Sequence, residues 1–272
     1  MGVYCHLAPR DAFPKARAAA RAALEIDPAL SEARAVLGAV TAYYDWNLPG
    51  AKRESREAIA LNSTYPRARQ VLGEILMLGG RFEEAKAEAR RALELDPLAL
   101  SLNAFMAMTH YFAREYDKAI EHGVRTVEMD PHFFPGYFYL GMAYQMAGEF
   151  AAACEALQKA KDLSQNSTLM VASLGGALAA WGKQDEGRNI LAELEQMRPR
   201  KYVSQVFVAA ILAALGEIGQ ALACLETAYQ DRCSWLPRCL VADGRLDPLR
   251  AQPRLQDLIR RIGLVQHQGD QQ

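Results

Sequence analysis

Histidine and cysteine are the residue types in this sequence best suited to hold a metal ion or to attack a substrate. The histidines stand at positions 6, 110, 122, 132 and 267, and the cysteines at 5, 154, 224, 233 and 239. Neither set has the spacing of a zinc site or of a disulfide framework. We expect reduced, mostly buried thiols, with a Cys233–Cys239 disulfide as the alternative under oxidation. His110 shares an apolar helical stripe with Met106, which favours a packed core histidine over a metal ligand.

The charged clusters also have structural explanations. Glu83 and Glu84 fall where a helix is expected to begin, and the helix dipole favours acidic side chains there. Arginines near the C-terminus could contact phosphate, but aspartates alternate with them, which favours a solvated helix face: Arg250, Arg254, Arg260 and Arg261 with Asp247 and Asp257. The sequence contains no Gly-rich phosphate loop, nucleophile elbow or HExxH motif. We therefore predict no enzyme, with no catalytic, cofactor-binding or metal-binding residues.

The charge balance excludes broad classes of partner. The 272 residues include 31 basic and 32 acidic side chains, and the formal net charge is -1. This balance gives no general attraction to nucleic acid or to an anionic membrane. The longest apolar run, 206–215, has about half the length of a membrane-spanning helix. We expect a cytoplasmic protein that inserts into no membrane and binds no nucleic acid through this region.

The sequence repeats every 34 residues, and this repeat determines where the side chains named above lie. Small residues recur at this step: Ala51, Ala85, Ala119, Ala153, Gly187 and Ala221. A second series, Pro97, Pro131, Gln165, Pro199 and Cys233, runs at the same step, and Ser63 and Pro28 extend it backward with one extra residue between them. Such a period in an Ala-rich, helix-forming sequence indicates an array of helical repeats. One elongated domain is therefore expected.

Each repeat unit has the pattern of two helices, as residues 134–166 show. Both helices have one apolar face: Tyr137, Leu140, Gly141 and Tyr144 in the first, then Phe150, Ala153, Leu157 and Ala160 in the second. Gly148 separates the two helices. Gly141 and Ala153 are small because antiparallel helices approach closely only where no bulky side chain keeps them apart. Prolines such as Pro131 cannot continue the second helix and so close the unit.

These features resemble the tetratricopeptide repeat family, in which a small residue in the first helix, a turn Gly, two Ala in the second helix and a closing Pro recur. Two units fill those roles with Gly73, Gly80, Ala85, Ala92 and Pro97, and with Gly175, Gly182, Gly187, Leu194 and Pro199. Departures from this pattern are local. Ala107 and Ala209 stand in place of the small Gly, and Arg114 stands in place of the turn Gly. The closing Pro is replaced at three positions: Ser63, Gln165 and Cys233. The resemblance implies an all-α, right-handed α-solenoid of antiparallel hairpins.

The period divides the chain into four parts. Residues 1–30 should form a truncated first repeat, mainly one helix at 12–27. Six hairpins should follow over 31–233, namely 31–64, 65–98, 99–132, 133–166, 167–200 and 201–233, with a longer turn near 44–47. Residues 234–265 are predicted to cap the array, with an apolar stripe of Leu255, Leu258, Ile259 and Ile262 on a helix entered at Pro253. Residues 266–272 are predicted to be a disordered tail.

The closing stretch 246–250, Leu-Asp-Pro-Leu-Arg, resembles the end of the repeat region in bacterial multidomain regulators. In those proteins a DNA-binding, kinase or cyclase domain precedes the repeats. This resemblance, together with the truncated first repeat, suggests a segment of a larger bacterial signalling regulator.

The concave face of such an array is its expected binding surface, formed by the first helices. The candidate partner-binding residues are Gln70, Glu74, Met77, Ala104, Met108, Tyr111, Phe138, Met142, Gln145, Ala172 and Val206. Met and aromatic side chains predominate in the middle, so we expect a protein or peptide partner with an apolar helical face. The alternative is that these middle side chains pack only against neighbouring repeats. A clamp for a chaperone C-terminus is not expected, because Arg67, Gln70 and Asn103 are isolated polar residues.

Three functions are compatible with the sequence. The first is a protein-binding scaffold, the second a self-association module that forms a homodimer, and the third a sensory segment that controls an upstream domain. If Phe138 and Met142 line an open groove, replacing both with Asp should abolish association and preserve the helices. If they are core residues, the same change should unfold the chain.

Overall fold

The computed structural model describes residues 7–263, and this part of the chain is helical throughout, without a β-strand. The predicted all-α class is confirmed. The repeat helices are α1 (Pro9–Ile26), α2 (Ser31–Tyr43), α3 (Leu48–Leu61), α4 (Pro66–Leu78), α5 (Phe82–Leu95), α6 (Leu100–Phe112), α7 (Tyr116–Met129), α8 (Phe134–Ala147), α9 (Phe150–Leu163), α10 (Thr168–Ala180), α11 (Gln184–Met197), α12 (Gln205–Ala214) and α13 (Ile218–Gln230). They are followed by α14 (Leu236–Ala242), a 3₁₀ helix (Gly244–Leu249) and α15 (Pro253–Ile262).

Helices α2 to α13 form hairpins in chain order. Each even-numbered helix packs against the odd-numbered helix that follows it, and neighbouring first helices such as α2 and α4, or α6 and α8, also touch. The result is a solenoid with the first helices in an inner row and the second helices outside. Helix α1 packs against α2 in the place of a second helix and begins three residues earlier than the predicted 12–27.

Close contact within each hairpin explains the small residues of the repeat. A Cβ added to Gly141 of α8 would lie 3.1 Å from the carbonyl oxygen of Ala153 on α9. Ala153 itself is completely buried, as are its equivalents Ala51, Ala85, Ala119 and Ala221. A larger side chain at either position would separate the helices, because interiors are packed without spare volume.

The turns between paired helices require a left-handed residue. Gly148 has φ +83° between α8 and α9, a conformation that Gly adopts without steric penalty. Arg114 takes the same conformation, φ +61°, in the turn between α6 and α7 where the sequence lacks Gly. The turn between α2 and α3 spans 44–47, and Trp46 there has φ +59°. This is the longer turn expected from the extra residue.

The predicted C-terminal helix is present as α15. Leu255, Leu258, Ile259 and Ile262 are buried, and α15 packs against α13 and α14. Its outer face carries ion pairs, such as Arg261 with Glu226 at 2.6 Å. The predicted solvated face fits Arg254, Arg260 and Arg261, which are exposed on α15. It is wrong for Arg250, which is partly buried and donates hydrogen bonds to the carbonyl oxygens of Leu240 and Asp243.

Three helices of the inner row, α6, α10 and α12, are buried on all sides. In α10 and α12 nearly every residue is inaccessible to solvent, and α6 is buried from Leu102 to Phe112. A helix that is buried all round needs neighbours on all faces. The second helices cover only one face of each first helix. Another part of the chain must therefore cover the inner face of the row.

Candidate functional site

The predicted groove residues do line the inner face, but the face is not open. Their relative exposures all lie between 0% and 7%: Gln70, Glu74 and Met77 on α4, Ala104, Met108 and Tyr111 on α6, Phe138, Met142 and Gln145 on α8, Ala172 on α10 and Val206 on α12. The expectation of an open concave groove is therefore wrong for this structure. Residues 234–249, hereafter the inner segment, comprise α14 and the 3₁₀ helix and lie across this face. They were predicted only to cap the array.

Trp235 inserts between two inner aromatic rings. Its indole meets the ring of Phe138 edge-on at 5.7 Å and the ring of Phe207 edge-on at 5.2 Å between centroids. All three side chains are completely buried. Edge-to-face contacts of this kind add about 0.5–1.5 kcal/mol each beyond the burial of apolar area. Trp235 is thus the main apolar anchor of the inner segment.

Arg238 brings a positive charge into the middle of the inner face. Its guanidinium lies 4.9 Å from the ring centre of Tyr43 and 4.6 Å from that of Trp235, and Nη1 is 3.2 Å from the sulfur of Met108. The side chain is 4% exposed. Burial acts to lower the pKa of Arg238, but nearby Tyr43 and Glu74 raise it overall.

A buried carboxylate on α4 provides the opposite charge. Tyr43 donates a short hydrogen bond to Glu74, and Gln70 Nε2 donates another to Glu74 Oε1 at 3.0 Å. Arg67 lies 3.7 Å from the same oxygen. Burial raises the pKa of Tyr43 well above its ordinary value, and Glu74 raises it further. The predicted site residues Gln70 and Glu74 therefore belong to one polar network beside Arg238.

A second buried network joins α6 to the inner segment. Tyr111 donates a 2.8 Å hydrogen bond to Asp243, whose carboxylate also accepts two bonds from the Arg245 guanidinium, at 3.0 Å and 2.7 Å. The guanidinium of Arg245 lies 4.6 Å from the ring centre of Phe207. Burial alone would raise the pKa of Asp243, but Arg245 outweighs it, so the pKa is lowered and the pair is charged.

The far end of the inner segment is tied to the turn between α6 and α7. Arg114, the left-handed residue of that turn, forms two hydrogen bonds to Asp247, at 2.7 Å and 2.6 Å. Arg250 Nε contacts the same carboxylate at 3.1 Å. The 3₁₀ helix approaches closely at Gly244, where an added Cβ would lie 2.9 Å from the Tyr116 hydroxyl and closer still to Met146, so a larger residue would displace the end of the Met146 side chain.

The first and last hairpins meet and enclose the inner segment. The ring of Trp46, in the longer turn, lies 5.2 Å from the ring of Tyr229 on α13, measured between centroids. The Arg232 guanidinium stacks over the Trp46 ring, 4.4 Å from its centre. Arg10 on α1 donates a 2.6 Å hydrogen bond to the carbonyl of Gln230. The solenoid therefore closes on itself around residues 234–249.

The residues that could have carried chemistry lie elsewhere. His110 is 8% exposed, as expected of a packed histidine, and stacks on His122 at 5.2 Å. Its Nδ1 contacts Glu115 at 2.6 Å, and Lys86 contacts Glu115 at 2.7 Å. The hydrogen bond from Lys86 is the largest cause that lowers the pKa of Glu115, to about 2. Burial lowers the pKa of His110, which favours its neutral form at pH 7.

Within residues 7–263, no group of three or more His, Cys, Asp and Glu side chains is arranged to hold a metal ion. Four cysteines are free thiols there, and Cys233 and Cys239 are buried. Cys5, His6 and His267 lie outside the described residues. None of the helices over this range combines the length and apolar character that crossing a bilayer requires.

Sequence reasoning missed the residues that fill the inner face, namely Trp235, Arg238, Asp243 and Arg245. The signal was the end of the 34-residue period at position 233, followed by a Trp and four charged residues in an otherwise mostly apolar stretch, 234–249. Charges within an apolar stretch indicate buried, paired groups when the stretch is not a surface helix.

Comparisons with known proteins agree with this architecture. Residues 66–97, the hairpin of α4 and α5, match the family model described as Tetratricopeptide repeat. A comparison with curated proteins found no match. In the crystal structure of the APC/C hetero-tetramer Cut9–Hcn1, a chain of 14% identity superimposes with a TM-score of 0.65, over 92% of this chain and 46% of that one. TTC0263, a thermophilic TPR protein of Thermus thermophilus, is 19% identical with a TM-score of 0.52, over 74% of this chain and 100% of that one.

The fold is that of a tetratricopeptide-repeat solenoid, and one hairpin, residues 66–97, matches the model of that family. The chain spans less than half the length of the chain it resembles in the Cut9–Hcn1 complex. Proteins with this fold are typically scaffolds for protein–protein interaction, and their repeats build extended concave surfaces.

Proposed function

We propose that this chain is a non-enzymatic protein-interaction scaffold whose inner face binds a short helical segment with an apolar face. The observation that carries the proposal is the seating of the inner segment, a short helix anchored by Trp235 in an aromatic site and by Arg238 beside Glu74. The chain's own residues occupy this site. A partner would bind with the predicted groove residues after the inner segment leaves.

The cost of releasing the inner segment determines what such a partner must contain. Five of its large apolar side chains are at most 1% exposed: Trp235, Leu236, Leu240, Leu246 and Leu249. At about 2 kcal/mol for each buried side chain, exposing all of them costs on the order of 10 kcal/mol. Only a segment that supplies similar contacts could replace it, so the proposed partner carries an aromatic anchor and an arginine on one helical face.

A labelled peptide with the sequence of residues 233–250 tests the proposal in the full-length chain. Trp235→Ala in the protein weakens the intramolecular occupant and leaves the rest of the face in place. We expect the peptide to bind this variant saturably, and at least about tenfold more tightly than it binds the wild type, a difference of about 1.4 kcal/mol. Fluorescence anisotropy measures both affinities.

The matched control is the same peptide with Ala in place of Trp235, which should bind neither protein. Circular dichroism establishes that the Trp235→Ala chain keeps its helices, and Arg238→Gln serves as a second weakened variant. If the intact peptide binds neither weakened chain at millimolar concentration, the inner segment is a permanent part of the core and the proposal is wrong.

The proposed setting is the cytoplasm, within a larger bacterial regulator. What supports it is the resemblance of residues 246–250 to the end of such repeat regions. In that setting, exchange of the inner segment for a partner would alter the surface presented to an upstream DNA-binding, kinase or cyclase domain. The full-length gene product tests this setting, since a regulator requires an effector domain on the same chain.

One observation favours self-association as a second candidate. Ile26, Leu61 and Leu95 occupy equivalent positions at the ends of α1, α3 and α5, with exposures of 88%, 46% and 40%. A row of exposed apolar side chains is a common feature of interfaces between copies. Light scattering after size-exclusion chromatography, across a concentration series, should show a dimer that Leu61→Asp dissociates. A monomer at every concentration would exclude this candidate.

A further inference from the structure

An ion pair joins one hairpin to the next at a fixed position of the repeat. Lys86 on α5 donates a 2.7 Å hydrogen bond to Glu115, which lies just before α7. Three repeats later, Arg188 on α11 lies 3.4 Å from Glu217, just before α13. In both pairs the cation stands 29 positions before the carboxylate, so the pair links a second helix to the second helix of the following hairpin.

One repeat before the first of these pairs, the same two positions hold Lys52, on α3, and Arg81, just before α5. Two cations therefore occupy the places of an ion pair. Burial lowers the pKa of Lys52, and the positive charges of Arg81 and Arg56 lower it further, so these three side chains repel one another. Glu84 bonds to Arg81 at 2.6 Å and offsets part of this repulsion. Compared with the two later pairs, this position lacks a carboxylate.

A cleft opens beside these cations, between α3 and α5. Its volume is about 360 Å³, and Lys52, Arg56 and Arg91 are among its walls. Leu72 and Leu76 of α4, which are at most 8% exposed, form its floor. Both walls belong to complete hairpins, α2 with α3 and α4 with α5. The cleft is therefore a feature of the repeat array itself.

The carboxylates that line this cleft are already paired. Glu84 is bonded to Arg81, and Glu88 contacts both Arg69, at 3.3 Å, and Arg91. The two cations that α3 contributes form no ion pair with any residue of 7–263. Five positive charges thus meet two negative charges around the cleft, although the whole chain is close to neutral. This local excess attracts anionic ligands.

A second cleft continues the positive surface along α3. Its volume is about 530 Å³, it shares Lys52 and Arg56 with the first cleft, and it adds Arg53. A surface of this length with an apolar floor suits a peptide better than a single inorganic anion, because a peptide can present both carboxylates and apolar side chains. Glu84 and Glu88 among the cations would repel a continuous polyanion such as nucleic acid.

We propose that this surface binds an acidic segment of a partner protein. A Glu or Asp side chain of that segment takes the place of the missing carboxylate between Lys52 and Arg81, and a neighbouring apolar side chain covers the leucine floor. Residues 1–6 and 264–272 of this sequence contain a single acidic side chain and so do not supply such a segment. The surface is separate from the inner face, and binding does not depend on release of the inner segment.

The probe for this surface is a short labelled peptide in which two leucines each stand between glutamates. Two matched control peptides carry glutamine in place of every glutamate, or serine in place of both leucines. We expect the probe to bind the full-length chain saturably, and at least about tenfold more tightly than either control peptide. Binding should weaken as sodium chloride is added, because salt screens exposed charges. Fluorescence anisotropy gives each affinity.

Variants of the full-length chain locate the binding. Arg81→Glu introduces the residue type of the equivalent positions Glu115 and Glu217, so it should pair with Lys52 and weaken binding of the probe at least about tenfold. Lys183→Glu makes the same change of charge at the equivalent position before α11 and should leave binding unchanged. Because Glu already precedes α7 and α13, both substitutions should preserve the fold, and circular dichroism checks this.

Lys52→Gln is a second test, because it removes a cation without adding a carboxylate, and it should also weaken binding of the probe. Three results would overturn the proposal: no saturable binding to the wild type, equal binding of the glutamine peptide, or equal affinities of the Arg81→Glu and Lys183→Glu chains. Displacement of the probe by an equal concentration of a single-stranded oligonucleotide, or a dimer that Arg81→Glu dissociates, would identify a different occupant and also contradict it. Trp235→Ala should leave binding of the probe unchanged, so failure at this surface is distinguishable from failure at the inner face.

Discussion

The Tyr111 hydroxyl donates a 2.8 Å hydrogen bond to the carboxylate of Asp243, which joins α6 to the inner segment across 132 residues of sequence. The bond lies in the interior, where both side chains are 1% exposed. Asp243 also forms an ion pair with Arg245, so one carboxylate both neutralises an arginine and accepts a hydrogen bond from the first helix α6. The inner segment is therefore held by specific polar contacts in addition to apolar burial.

Asp243→Asn should destabilise the chain strongly. The substitution leaves the guanidinium of Arg245 buried without a counter-charge, and breaking a buried ion pair in this way typically costs about 3–5 kcal/mol. Tyr111→Phe is the matched control, since it removes one hydrogen bond and leaves the ion pair, at about 1–2 kcal/mol. Urea unfolding gives both free energies. Equal losses in the two variants would show that Asp243 and Arg245 do not form the pair that the structure describes.

Phe138→Asp should abolish folding. Phe138 is completely buried against Trp235 and Phe207, so the carboxylate would have neither solvent nor a partner at this position. Met142, also completely buried, should respond in the same way. Phe138→Leu, which keeps the site apolar, serves as the control. If far-UV circular dichroism and the thermal midpoint of Phe138→Asp matched those of the wild type, the inner face would be open in solution.

Glu115 should stabilise the fold at neutral pH and lose this effect in acid. Its pKa falls from an ordinary value of 4.5 to about 2, chiefly through the hydrogen bond from Lys86. Because the pKa is lower in the folded protein, the stabilisation is fully present above 4.5 and disappears as the pH falls toward 2.

Glu115→Gln should therefore lower the free energy of unfolding at pH 7 by about 1 kcal/mol, a value reduced by the solvent access of the carboxylate. The difference from the wild type should shrink as the pH falls through 2 and vanish below it. Glu121→Gln, which changes an exposed acid on the adjoining helix α7, is the control and should have little effect. A Glu115→Gln difference that does not depend on pH would rule out the linkage.

Arg114→Gly and Arg114→Ala should differ in stability although both remove the ion pair with Asp247. The backbone at Arg114 has φ +61°, which is strained for Ala and relaxed for Gly. We expect the Gly variant to be more stable than the Ala variant by about 1 kcal/mol. Thermal or urea unfolding measures this difference. An Ala variant as stable as the Gly variant would mean that the turn between α6 and α7 is not left-handed.

The hairpins could be predicted from the sequence because their contacts are local and repeated. Gly141 and Ala153 lie only twelve positions apart, and the same pair of small residues recurs at each step of 34. The apolar stripe Leu255 to Ile262 was recognisable for a similar reason, since helical spacing alone predicts a buried face. Even the longer turn at 44–47 followed from one extra residue in an otherwise constant interval.

The filled inner face could not be predicted in this way. The contact of Trp235 with Phe138 spans nearly a hundred residues, and no periodic pattern relates the two positions. Side chains such as Met108 and Tyr111 suit an open groove that binds a partner and also a groove covered by the chain itself. Burial against another helix and burial against a partner select the same residue types. Only the three-dimensional path of residues 234–249 distinguishes the two.

The contacts of Trp46 with Tyr229 and of Arg10 with Gln230 also fix the copy number of the hairpins. Open solenoids gain or lose whole units readily, because each unit depends only on its neighbours. Here, deleting a single 34-residue unit between Trp46 and Tyr229 would rotate the last hairpin away from the first and remove the enclosure around Trp235. A chain whose first and last hairpins touch in this way can gain or lose whole repeat units only outside the interval from Trp46 to Tyr229.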